Sequence, residues 1–225
     1  MKIVNRIVTF LLALSVFPIT FYLIFVRMVA SIAEESSLYT LLSTFMKETV
    51  NSRLEIDFSL KELVGYIDNG TFTFAGMTFD TGSIPSGLLV AKGWLIAAAV
   101  LLVIALLIAL VIMGCALFTE AHKTVMCLSA GGAVSMFASM CCFNTFAKPY
   151  TTGAVNIGKI LGEAMLGDGG LLGSLGSSVL DGAINIDILQ LGNFAVTVLI
   201  VFLGLLTWSG AYYITMPRET DKKKH

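Results

Sequence analysis

Four stretches of this sequence hold no Asp, Glu, Lys, Arg or His: Ile7–Val26, Trp94–Phe118, Thr124–Ala147 and Phe194–Met216. An ionisable group at the centre of a bilayer costs about 2.5–3.5 kcal/mol on insertion scales and is normally kept for function. Ion-coupled pumps, proton relays and voltage sensors keep such groups, so their absence speaks against those classes. Cysteine is missing from both long segments between the stretches, because Cys115, Cys127, Cys141 and Cys142 all fall inside the second and third. That excludes a secreted, disulfide-stapled scaffold. The four read as small packing residues, with palmitoylation of Cys115 as the alternative. Histidine occurs only at His122 and His225, both on the side assigned below to the cytoplasm. A histidine-based metal site or triad on the other side is therefore ruled out. There is no phosphate loop and no cytoplasmic domain to hold a nucleotide. The expectation is a protein without catalytic residues, cofactor or metal.

What is present is length and apolarity. A run of about 20 apolar residues covers a hydrocarbon core of about 30 Å, so each stretch is long enough to cross a bilayer. The chain is 13% charged, about half the usual share of a soluble domain, and the spans account for the deficit. Lys2 and Arg6 precede the first span, His122 and Lys123 lie in the turn 119–123, and Arg218 and Lys222–Lys224 follow the last. The two long loops hold 12 of the 15 acidic residues. The positive-inside rule then puts both termini and the short turn in the cytoplasm and both loops outside. The predicted order is a cytoplasmic N-terminus (1–6), a first span (7–33), loop one (34–92), a second span (93–118), the turn, a third span (124–147), loop two (148–192), a fourth span (193–216) and a basic tail (217–225). Arg27 would snorkel to the outer interface at the end of a long first helix. Ala30-Ser31-Ile32-Ala33 resembles a signal-cleavage site, but the apolar run exceeds a normal h-region, so the span reads as retained.

The loops carry their own patterning. Leu38, Leu41, Leu42, Phe45 and Met46 recur at helical spacing after Ser36 and Ser37, either of which suits a cap, and predict an amphipathic helix over 37–50. Leu54–Leu60 alternates apolar and polar residues like a half-buried strand. Asn69-Gly70 signals a hairpin turn. The change of phase between Phe72, Phe74 and Met77, Phe79 requires a bulge or tight turn at Ala75-Gly76. In loop two, Gly167–Gly182 is rich in glycine and serine yet carries Leu171, Leu172 and Leu175. Ile184–Ile188 alternates like the first strand of loop one and is expected to join the same sheet. The resulting fold class is a membrane α-helical bundle of four spans with a small outer α/β cap of antiparallel strands. This layout resembles claudin-type tetraspans: four helices, cytoplasmic ends, a strand-rich first outer loop and a final strand before the fourth helix. The claudin signature of Trp, Gly-Leu-Trp and two cysteines is absent, since Glu34–Lys92 has neither Trp nor Cys. Tight-junction function does not carry over.

Few motifs point to chemistry. Asp80-Thr81-Gly82 matches the active-site string of aspartic proteases, but that chemistry needs two carboxylates sharing a proton and far more β structure than surrounds it; it reads as a turn. Asn69-Gly70-Thr71 is a glycosylation sequon already explained by the turn. Lys222-Lys223-Lys224-His225 suits either a dilysine retrieval signal or a basic tail on anionic lipid. The third span is rich in small residues. Gly131, Ser135 and Ser139 recur every four, a pattern that lets helices approach closely in lipid, either within the bundle or as a self-association seam. Asn144 is its one strongly polar side chain. Pro18 is a candidate kink, and Trp94, Tyr150, Trp208, Tyr212 and Tyr213 fit interfacial belts. The functional expectation is a non-enzymatic scaffold or accessory subunit of a membrane or envelope complex. Its partners would be lipid and another membrane or envelope protein or itself, and not nucleic acid. Leu38, Leu41, Leu42, Phe45, Met46, Leu171, Leu172 and Leu175 would supply contacts outside the membrane, and Gly131, Ser135, Ser139 and Asn144 would supply helix packing. The alternative is an oligomeric channel or transport-system subunit lined by the polar residues of span three. A bacterial plasma membrane is favoured over a eukaryotic endoplasmic reticulum.

Overall fold

A computed structural model gives the fold and describes residues 2–46, 53–60, 71–74, 77–80, 91–118, 122–158 and 180–215. Its elements, in order, are α1 (Lys2–Tyr22), β1 (Ile24–Ile32), α2 (Ser37–Met46), β2 (Arg53–Ser59), β3 (Thr71–Phe74), β4 (Met77–Asp80), α3 (Lys92–Phe118), α4 (His122–Thr151), β5 (Ile184–Leu191) and α5 (Asn193–Thr215). The helices α1, α3, α4 and α5 are each long and apolar enough to cross a membrane.

The first expectation to fall is the long first helix. Helix α1 stops at Tyr22, and residues 24–32, expected to continue it, form a strand. At ~1.5 Å per residue, the 21 residues of α1 already extend about 32 Å, enough for a hydrocarbon core. Beyond Leu23 the chain turns to Ile24, Val26, Val29 and Ile32, whose β-branched side chains suit a pleated surface. Pairing on both edges then fixes the extended form. Arg27 therefore lies in a strand and does not end a helix.

This strand is the centre of the sheet. β2 and β5 share one antiparallel sheet, as the alternation in both loops suggested, but they do not touch; the order is β2-β1-β5. Arg27 lies opposite Asp57 on one side and Gln190 on the other. The β1–β5 register shifts between Val29 and Ala30, so Asp187 is an extra residue on β5. The bulge explains why Ile186 faces the core together with Leu189 and Leu191 rather than with Ile188. β3 and β4 form a separate two-stranded ladder in which Phe74 opposes Met77. Ala75-Gly76, expected to form a bulge or tight turn, lie outside the described residues. The Asn69-Gly70 turn, Thr81-Gly82 and the segment 167–179 lie outside the described residues.

The chain divides into two compact units. One contains Phe21–Ala98 and Met140–Asn193, hence both sheets, α2 and one end each of α3 and α4. Its core joins Phe143, Phe146 and Tyr150 of α4 to Ala98, Val155, Ile157 and Ile186, with Val26, Met28 and Leu189 packed against them. Phe146 lies between Phe143 and Tyr150, with ring centroids 5.8 and 5.2 Å apart, within the usual range for aromatic pairs. Gly192 is a close approach in this unit: a Cβ there would fall 2.0 Å from the Ile24 carbonyl oxygen. Its N–H donates to the Phe25 carbonyl at 2.8 Å.

The other unit contains Met1–Thr20, Ala99–Ser139 and the chain from Phe194 onward. On α3 of this unit the usual size order of a water-soluble core is inverted. On α3 the buried positions are Ala105, Ala109, Ile112 and Ala116, while Val103, Leu107, Leu110 and Leu117 are exposed. Small side chains at such positions let helices close up. Phe202 of α5 fills the gap left by Gly132 of α4, where an added Cβ would lie 2.4 Å from the ring.

Candidate functional site

The polar face of the three-stranded sheet carries its charged groups. Successive residues of a strand point to opposite faces, so Val26 and Met28 turn to the core and Arg27 turns away. The Arg27 guanidinium meets Glu55 Oε2 at 3.2 Å and Asp57 Oδ1 at 3.5 Å. All three side chains are about a third to a half exposed, so solvent screens the pairs and each contributes under about 1 kcal/mol. Across the sheet, Ser31 Oγ donates to Asp187 Oδ1 at 3.0 Å. The alternating strands thus display a mixed-charge surface held by rigid backbone.

Beside β5 lies a cavity of about 390 Å³, lined by Thr151, Thr152, Asn156, Asn185 and Asp187 with apolar neighbours that include Ile184 and Ile186. Asn156 Nδ2 donates to Asp181 Oδ1 at its rim. Gly153 and Gly182 adopt positive φ, 71° and 66°, a backbone conformation that glycine enters without steric cost. Among the described residues, no three of His, Cys, Asp and Glu are grouped to hold a metal ion.

Those of the residues singled out from the sequence that are described lie on α2 and α4. Helix α2 forms where its spacing predicted and is capped by Ser36, whose Oγ accepts from the Tyr39 N–H at 3.2 Å. Leu38 is half-buried. Leu41, Leu42, Phe45 and Met46 lie on α2, but their side chains are outside the described set, as are Leu171, Leu172 and Leu175 altogether. On α4, Ser139 is buried, Gly131 and Ser135 are half-buried, and Asn144 is exposed. The buried line of that helix runs instead through Ser129, Gly132, Met136, Ser139 and Phe143. A Cβ at Gly131 would meet only Ile108, at an ordinary 3.7 Å. The close-packing glycine of this helix is thus Gly132, the immediate neighbour of the one that the spacing singled out. All four cysteines are free thiols.

One cluster went unread. Asn5 of α1 is 3% exposed and its Nδ2 lies 3.2 Å from His122 Nδ1. The His122 ring packs on Tyr212 at 4.6 Å between centroids, and Lys123 Nζ lies over Tyr213 at 5.2 Å. Three helices are thereby tied at the end that bears both termini. The available signal was the spacing of Asn5, Thr9 and Ala13, four apart, which marks a single helix face. Comparison with protein-family models, with curated proteins and with solved structures finds no match.

Proposed function

We propose that this chain is a non-enzymatic, four-pass integral membrane protein that acts as a scaffold or accessory subunit through a cap outside the cytoplasm. The observation that carries this reading is how the sheet is attached. Its central strand follows α1 after Leu23 alone, and β5 enters α5 through Gly192 alone. A polar sheet face joined in sequence to two apolar helices by single residues suits the display of a surface to another protein. Basic residues cluster near the chain ends and the short turn, which supports a cytoplasmic placement for both termini. Compact loops without cysteine favour a bacterial plasma membrane over an endoplasmic reticulum.

The channel reading has less support. Ser129 and Ser139 are buried and Ser129 Oγ donates to the Val125 carbonyl at 2.7 Å, so these hydroxyls serve helix packing, while Asn144 turns the other way. Purification from the native membrane in mild detergent, with particle mass and composition measured, tests the scaffold reading. It expects a second protein at fixed stoichiometry. A lone symmetric oligomer that conducts ions in liposomes overturns it.

A further inference from the structure

Among the described residues, the edge of β5 away from β1 has no strand partner. Two bonds set the phase of its ladder with β1: the Ala33 N–H donates to the Ala183 carbonyl at 2.9 Å, and the Gly192 N–H donates to the Phe25 carbonyl at 2.8 Å. Bonded and non-bonded pairs alternate along an antiparallel ladder. Ile32 opposes Ile184 and Ala30 opposes Ile186, so both fall at non-bonded positions. The N–H and C=O groups of Ile184 and Ile186 consequently point away from β1. Among the described residues β5 is an edge strand with no partner on that side. Ile184 through Asp187 also line the cavity of about 390 Å³, a volume within the range of binding clefts, about 300–1,000 Å³.

We infer that this edge receives an extended segment of a partner protein carrying a lysine or arginine, by strand addition. Strand addition draws affinity from main-chain hydrogen bonds and specificity from alternate side chains. The charge around the groove selects the occupant. Among the described residues its lining includes the carboxylate of Asp187 and no Lys, Arg or His, and Asp181 adds a second carboxylate beside Asn156. A second copy of β5 paired on this edge would bring Asp187 near its own counterpart, and like charges facing each other weaken a strand pair. A basic segment meets no such penalty. The inference rests on the scaffold reading and specifies the chemistry of its partner.

The test uses the full chain in lipid nanodiscs and a short peptide of alternating threonine and valine with lysine at both ends. Saturable binding is expected, lost when alternate peptide nitrogens are methylated and absent when glutamate replaces lysine. Asp187→Asn should weaken binding about threefold, as loss of a partly exposed ion pair would, while the amide can still accept from Ser31. Amide exchange at Ile184 and Ile186 should be fast in the lone protein and slowed by the peptide. Equal binding of the methylated or the glutamate peptide overturns the inference. So does protection of these amides in the lone protein, whether constant or rising with protein concentration as self-pairing would produce. A stoichiometric partner that leaves both amides open sinks this inference and spares the scaffold reading. Peptide binding without any native partner does the reverse.

Discussion

The two units of this molecule are held by different forces, although both rely on glycine at a point of close approach. In the sheet unit the closest approach is backbone to backbone, Gly192 against the Ile24 carbonyl, within a ladder bonded on both sides of β1. In the helix unit it is side chain to backbone, Phe202 against Gly132. A backbone carbonyl in a ladder cannot yield, whereas an aromatic ring at the end of a side chain can turn. The helix unit therefore has room to adjust that the sheet unit lacks, even though its close approach is also very tight.

Substitutions can break that comparison in graded steps. Gly192→Ala should have the largest effect, because the added methyl would sit 2.0 Å from the Ile24 oxygen. Overpacking costs about 1–3 kcal/mol or more, and the upper end is expected here. The melting temperature of the purified protein should drop, and exchange should rise at the residue 192 amide, which donates to the Phe25 carbonyl. Gly132→Ala should cost less, about 1–2 kcal/mol, since the Phe202 ring can move. The double change with Phe202→Leu should recover part of the loss, and a purely additive result would show that the ring contact does not matter. Asn5→Ala removes the hydrogen-bonding tie to His122 and should cost about 0.5–1.5 kcal/mol, read as faster proteolysis or an earlier melt of the helix unit. Gly131→Ala, one residue from the tight site, should be neutral or stabilising by under about 1 kcal/mol, because alanine favours the helix and has room. Arg27→Met should be the smallest change, well under 1 kcal/mol and reduced further by salt, as for any exposed ion pair.

The sequence disclosed whatever depends on composition over a long window or on strict alternation. Four apolar runs read as four helices, and Leu54–Leu60 and Ile184–Ile188 read as strands because one face of each is wet. β1 was hidden for a physical reason. Only Leu23 separates it from α1, it is itself apolar, and strands on both sides of it leave few polar positions. Hydropathy merges such a strand with the helix before it, and Arg27, its one charge, looks like an interfacial anchor. The choice between Gly131 and Gly132 was also beyond the sequence, since consecutive helical residues differ by about 100° in direction and only the facing Phe202 decides which is covered. The bulge at Asp187 was readable: Ile188 and Leu189 stand side by side and interrupt the alternation. The tie of Asn5 to His122 joins residues far apart in sequence and left only the weak trace of small and polar residues on one face of α1.

The placement of β1 also governs the order in which the protein can be made. Its partner β2 is translated soon after it, but β5 is separated from it by more than half the chain, including α3 and α4. During synthesis β1 must wait for β5 until α5 is about to be made, so closure of the sheet is a late, non-local and slow event. A ribosome stalled before Ile184 would hold a chain with α1 to α4 made and half of its central ladder unformed. The exposed edge of β1 at that stage is a natural place for a folding factor to act.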